Sequence, residues 1–301
     1  MTAAATTASA TTARGAGRTS RRRSVVWLGL TPFAAYVLLF LAIPAVLAVG
    51  SGFFTSTGTF TFANLAAFAN PNILTDFWNS IWLSALTAIV GAIVGALVCF
   101  ALLGTRADGF LRTAIDSASS VLAQFGGVML AFAFVTIVGG SGVLTVWLKT
   151  SFGLDINSHG SFLYQVSGLV LPYLYFQVPL MVLTFMPAME GLKANWGEAN
   201  ATLGGTRFTY WTRIAMPILA PAFFGSVILL FANAFSSYAT AAALIDQGGI
   251  VPLAIKQQLT SETVVGVSNV AGVLALGMVV VMIVLMSAYS VLQRRSLRWQ
   301  R

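Results

Sequence analysis

The chain reads as long apolar runs separated by short polar stretches, and six of the runs are long enough to cross a bilayer as helices. Residues 1–23 are Ala, Thr, Ser, Gly and Arg without apolar periodicity, which predicts a disordered tail. The first run, 25–49, has Pro32 near its start and Pro44 placed to kink its far end. Residues 51–77, rich in Thr, Asn, Gly and Phe with Asp76 as their one charge, predict a loop. The second run, 78–103, carries Trp78 and Trp82 at its boundary and Gly91 and Gly95 at the spacing of a close helix contact. In the third, 115–138, the pair Gly126-Gly127 predicts a close packing point or a local break. Residues 139–160 predict a polar connection with a short interfacial helix over 143–152. The fourth run, 161–189, holds Pro172, Pro179 and Pro187 and should be bent; the fifth is 217–245 and the sixth 270–292.

These runs divide the chain into a disordered basic tail (1–23), a first membrane helix with its loop (24–77), a five-helix core (78–292) with a polar loop at about 190–217, and a short basic tail (293–301). The expected fold class is an all-α membrane protein with six transmembrane helices. Ser20-Arg21-Arg22-Arg23-Ser24 has the look of the charged head of a secretory or twin-arginine signal. The apolar run behind it is of bilayer length, which a signal's is not, so it reads as an uncleaved first membrane helix.

Charge orients the spans. All but Lys149 and Lys256 of the 16 Lys and Arg residues fall in the N-terminal tail, in the 104–114 and 190–217 loops, or in the C-terminal tail. By the positive-inside rule both termini and both loops are cytoplasmic. A net charge of +8 would suggest nucleic acid in a water-soluble chain, but the cations here are scattered over loops and tips rather than gathered on one face. With 57% hydrophobic and 8% charged residues and a mean hydropathy of +0.86, the chain has too much apolar surface for one soluble core. A multi-pass protein of a bacterial-type plasma or inner membrane is the reading that fits.

Chemistry is sparse. There is no Gly-Lys dipeptide, hence no phosphate-binding Walker loop, and no HExxH, CxxC or GxSxG. Cys99 is the one cysteine, Asp155 and His159 read as a solvated pair, and nothing suggests a metal, cofactor or catalytic site. No ionisable residue sits deep in a span, which argues against a proton- or ion-coupled carrier.

The polar loop is the informative stretch. Residues 198–203 predict a short helix, Gly204-Gly205 ends it, and 206–215 predict a second helical piece leading to Pro217 and Pro221. Glu198, Ala199, Gly204, Ile214, Met216 and Pro217 stand in the register Glu-Ala-Ala, three residues, Gly, nine residues, an aliphatic residue, one residue, Leu-Pro. Asn200 and Met216 replace the usual Ala and Leu, and Leu203 and Pro221 agree with common choices. This register resembles the EAA loop in permease subunits of type I, binding-protein-dependent ABC importers.

The resemblance implies the permease fold of that family and a coupling role for Glu198, Ala199, Asn200, Leu203, Gly204, Ile214 and Pro217. It also implies partners: an ATPase dimer on which hydrolysis takes place, a second permease subunit making a heterodimer, and an extracytoplasmic substrate-binding protein. The stretch 231–259 is similar to permeases for spermidine/putrescine and for aminoethylphosphonate, although a relative for iron, thiamine or sulfate would share much of it.

On the fifth run Asn233, Ser236, Ser237 and Thr240 recur at one-face helical spacing with Tyr238 beside them. The stripe serves either helix contacts or a polar path. The resemblance implies that this helix lines the translocation path, with Gln124 and Gln177 as further candidates. A channel or carrier working alone is the competing reading, and a membrane-bound enzyme lacks any catalytic constellation.

Overall fold

The computed structural model describes residues 30–55, 57–106, 109–154, 156–157, 162–245, 248–260 and 267–298. The tail 1–23, Asp155, His159, Asp246, Glu262 and Arg301 lie outside the described residues. Six stretches are long and apolar enough to cross a membrane: Leu30–Ser51, Pro71–Leu102, Gly127–Phe152, Val166–Glu190, Arg207–Phe235 and Asn269–Val291. The chain divides into two compact units, Met1–Gly50 and Ser51–Arg301.

Helix α1 (Leu30–Ser51), all but its last residue in the first unit, contains one wide π turn, Leu38–Ala42, closed by the Ile43 amide donating to the Leu38 carbonyl five residues back. Pro44 explains its place. A proline inside a helix has no N–H to give and its ring meets the carbonyl four residues earlier, here that of Phe40; widening the turn just ahead relieves both.

In the second unit, α2 (Pro71–Leu102) starts well before residue 78, where the apolar run alone would begin it. Asn70 caps it, Oδ1 accepting from the Asn72 amide at 3.0 Å, and Pro71 takes the first helical position, where its missing N–H costs nothing. Gly91 and Gly95 let α2 lie directly on α6 (Val170–Glu190): an added methyl would stand 2.8 Å from Gln177 Cβ and 2.5 Å from Met181 Cβ respectively. Helix α6 is the centre of the bundle, packed against α2, α3 (Phe110–Gln124) and α8 (Arg207–Phe235). Its Tyr173, Phe176, Met181, Val182 and Phe185 are buried.

The expected third span, 115–138, is divided at Phe125-Gly126 into α3 and α4 (Gly127–Val138), with Gly127 at φ +71°. Helix α3 carries Arg112, Asp116 and several serines, so the stretch apolar enough to span is Gly127–Phe152, joining α4 to α5 (Val143–Phe152) through a turn. The short helix expected at 143–152 is present with those bounds.

The expected fifth span, 217–245, also differs. Helix α8 ends at Phe235, Ser237 and Tyr238 are non-helical, and α9 (Ala239–Leu244) follows as a separate piece. Beyond it, α10 (Val251–Thr260) stands where a loop was expected, and α11 (Val267–Arg298) closes the fold. Helix α10 packs on α11 and α2, burying Val251, Pro252, Leu253 and Ala254.

Candidate functional site

The polar loop folds as the spacing predicts, with one extension: α7 begins at Ala194 and runs to Thr202. Its end is over-determined. Gly204 takes φ +76°, its amide donates to the Ala201 carbonyl (3.0 Å), and the Gly205 amide reaches back to the Asn200 carbonyl (2.8 Å). This pair of bonds is a Schellman closure, which needs a left-handed residue at the position Gly204 occupies. The Asn200 side chain adds a third tie, Nδ2 donating to the Thr206 carbonyl at 3.1 Å. Thr206 then caps the next helix, its Oγ1 accepting from the Thr209 amide at 3.2 Å. The departure from Ala at position 200 therefore pins the turn between the two helices.

Beyond the turn the helix does not stop. Helix α8 runs from Arg207 into the membrane stretch, passing through a π turn at Trp211–Ala215 just ahead of Pro217. The outward surface of the loop includes Glu198 and Ala199 on α7, with Leu203 (87% exposed) and Phe208 (76% exposed) on either side of the glycines. Ile214 is half-buried and Pro217 exposed at the membrane entry of α8.

Beside the loop, at the foot of α6, the guanidinium of Arg112 hydrogen-bonds Glu190 and stands 3.7 Å from Asp116. The ion pair ties α3 to the last residue of α6, four positions before α7 begins. It was not singled out in the sequence, although two opposite charges at the ends of neighbouring apolar runs are the signal that could have found it.

The polar-stripe residues separate. Asn233 is exposed on the last turn of α8 and Ser236 exposed just beyond its end, and Ser237 is half-buried with its carbonyl accepting from the Tyr173 hydroxyl (2.9 Å). Thr240 is buried on α9, where its Oγ1 accepts from the Gly127 amide at 2.9 Å. That bond brings the break before α4 against the break after α8. Gln124 is exposed at the end of α3, beside the first break.

Gln177 is fully buried between three helices. Its amide oxygen lies by Thr87 Oγ1 (2.9 Å) and the Ala88 amide (3.2 Å) of α2, and its nitrogen by the Leu230 carbonyl of α8 (3.1 Å). The structure thus makes Gln177 and Thr240 helix contacts and leaves Asn233, Ser236 and Gln124 open. Among the described residues no group of His, Cys, Asp or Glu side chains could hold a metal ion.

No protein-family model matches the chain. Among curated proteins, a probable ABC transporter permease protein of Sinorhizobium fredii is 25% identical over 274 residues, covering 89% of this chain and 46% of that protein. The sulfate transport system permease protein CysT of Salmonella typhimurium is 24% identical over 177 residues, 56% of this chain and 58% of its own length. The spermidine/putrescine permease PotC homolog of Mycoplasma genitalium is 26% identical over 171 residues, 57% of this chain and 52% of its own. The chain spans about half the length of these relatives.

Among solved structures, a bacterial ABC transporter that imports the acidic polysaccharide alginate has a chain that superposes with a TM-score of 0.69 at 16% identity, over 90% of this chain and 96% of that one. The same kind of transporter in complex with its alginate-bound periplasmic protein gives 0.71 at 16% identity, over 91% and 96%. The chain has the fold of an ABC importer permease. Its curated relatives are permeases too, and their named cargoes range from sulfate to polyamines. A permease fold with six apolar helices makes this a multi-pass inner-membrane protein.

Proposed function

We propose that this chain is the membrane subunit of an ABC importer, forming half of a translocation path and coupling it to a separate ATPase through α7 and its Gly204 turn. The observation that carries the proposal is the loop's construction. A short exposed helix in the Glu-Ala-Ala-Gly register is held by three hydrogen bonds at its C-terminus, and α8 leads from the turn into the membrane without a break. Closure of an ATPase dimer on ATP, felt at Glu198, Leu203 and Phe208, would be passed to α8 as a rigid lever and to α6 through Glu190.

Asn233, Ser236 and Gln124 are the residues proposed to face the path, with Ser237 at its edge. Gln177 and Thr240 hold the helices that carry them. With the loop on the ATPase side, both termini are cytoplasmic. A second permease subunit completes the pore and a binding protein delivers the cargo from outside, as the periplasmic protein bound to the alginate transporter suggests.

For the cargo we propose a small polar solute. Polyamines and aminoethylphosphonate, suggested by residues 231–259, are the first to test, against sulfate, which one relative is named for. Co-purification separates this reading from a lone carrier. The tagged chain, expressed with its neighbouring genes, should bring down an ATPase in stoichiometric amount, and the Glu198→Ala protein should bring down less. A chain that transports by itself in vesicles, with no ATPase bound, would overturn the proposal.

A further inference from the structure

The end of the bundle that carries α7 has a polar cavity and an apolar groove that run into one another. The cavity, about 490 Å³, is lined by Thr105, Arg112, Glu190 and Tyr210 together with Met189 and Trp211. The groove, about 570 Å³, follows α2, α6 and α8 into the membrane stretch; Leu97, Phe100, Ala220 and Phe224 line it, again with Met189 and Trp211. Trp211 is shared by both, and its ring meets Phe100 edge-on at 4.9 Å.

The order along this surface is that of an amphiphile: charge, then Tyr210 and Trp211 with polar tips on apolar rings, then bare hydrocarbon. Leu97, Phe100 and Phe224 are about half exposed or more, on helices long enough to cross a bilayer, so the groove opens at membrane depth. Arg112 pairs with Glu190 in the cavity wall and with Asp116, one turn further along α3 and outside the lining, so the three side chains together carry one negative charge in excess. The Arg112 side chain is 8% exposed and that of Glu190 52%, so the carboxylate is the accessible partner. Arg112 reaches Glu190 at Oε1, and among the described residues no donor is placed on Oε2. A headgroup that offers an ammonium matches this cavity, whereas a purely anionic one does not.

We infer that this end of the protein holds a phospholipid with an amine-bearing zwitterionic headgroup, the ammonium at Glu190 and one acyl chain in the groove between α2, α6 and α8. The inference goes beyond the transport role and does not rest on it.

The test is native mass spectrometry of the full chain after exchange into an equimolar mixture of phosphatidylethanolamine and phosphatidylglycerol. The expected result is retention of phosphatidylethanolamine severalfold over phosphatidylglycerol. Glu190→Gln should bring the ratio near one while lipid still binds, and Ala220→Trp, which fills the groove, should abolish retention. Ala96→Phe fills the same groove from α2 and serves if the tryptophan variant fails to insert. Equal retention of the two lipids by the unaltered protein, or retention indifferent to both groove-filling variants, overturns the inference. So does efficient cross-linking of Leu97→Cys to another subunit in the assembled complex, which would make the groove a protein contact. None of these readouts depends on transport.

Discussion

The Gly249 amide donates to Asp76 Oδ1 at 2.9 Å, joining the first turns of α2 to the start of α10. Ser80, one turn further along α2, accepts from the Val251 amide at the same distance. The two side chains on α2 thus satisfy orphan amides at the N-terminus of another helix, and the carboxylate adds a favourable charge there. Asp76→Ala should loosen α10 by about 1–3 kcal/mol, because it leaves a half-buried amide unpaired. Asp76→Asn keeps an acceptor and should cost less. Tryptic cleavage after Lys256 reads the difference: faster in the alanine protein than in the asparagine one. Equal, slow cleavage in both would show that packing against α11 alone holds α10.

Gly204→Val forces a β-branched residue to φ +76°. The strain, about 1–2 kcal/mol or more, falls on the Schellman closure and re-aims α7. The expected outcome is a protein that inserts normally and binds its partners' outer side, yet fails to raise ATP hydrolysis when loaded binding protein is added to the reconstituted complex. Asn200→Ala removes one hydrogen bond and leaves the backbone pair, so it should lower the stimulation only partly. Full stimulation in the valine protein would show that the loop does not couple.

Ser236 and Thr240 lie four residues apart and should respond in opposite ways. Ser236→Trp adds bulk on an open surface and should block uptake while the complex still assembles. Thr240→Val removes the acceptor of the Gly127 amide and should lower the melting temperature of the purified chain, with little effect on the path itself. Loss of assembly in Ser236→Trp would mean that the end of α8 is buried against the second subunit.

Reporter fusions test the orientation. A tag after Arg301 or within 104–114 should report cytoplasm and one near Ser158 the exterior. An exterior C-terminus would remove the basis for placing α7 on the ATPase side.

The apolar runs were enough to find the number of spans and the close approach at Gly91 and Gly95, though not the bounds of the third and fifth, because bilayer-length hydrophobicity and small-residue spacing are local properties of the chain. The turn at Gly204 was legible for the same reason. Helix breaks were less so. Asn233, Ser236, Ser237 and Thr240 fit one helical face, but the fit assumes a continuous helix, and α8 stops where the Tyr173 hydroxyl takes the Ser237 carbonyl. No local signal announces that partner, 64 residues away. Gln177 is a similar case: a glutamine in an apolar run is polar surface to a sequence reading, and only the meeting of α2, α6 and α8 turns it into a three-way tie. Helix α10 was missed because it is too short to span and depends on caps borrowed from α2.

The wide turn at Trp211–Ala215 amounts to one extra residue in the helix that carries Phe208 toward the loop. Each residue of an α-helix turns its neighbours by about 100°. In a regular helix one added residue would turn Phe208 by that angle relative to the membrane half, but the wide turn takes the residue up within itself, so a single-residue deletion at Thr212 should let the turn close as ordinary α-helix with Phe208 still on its original face. The wide turn is thus a place where α8 can gain or lose a residue without re-aiming either of its ends.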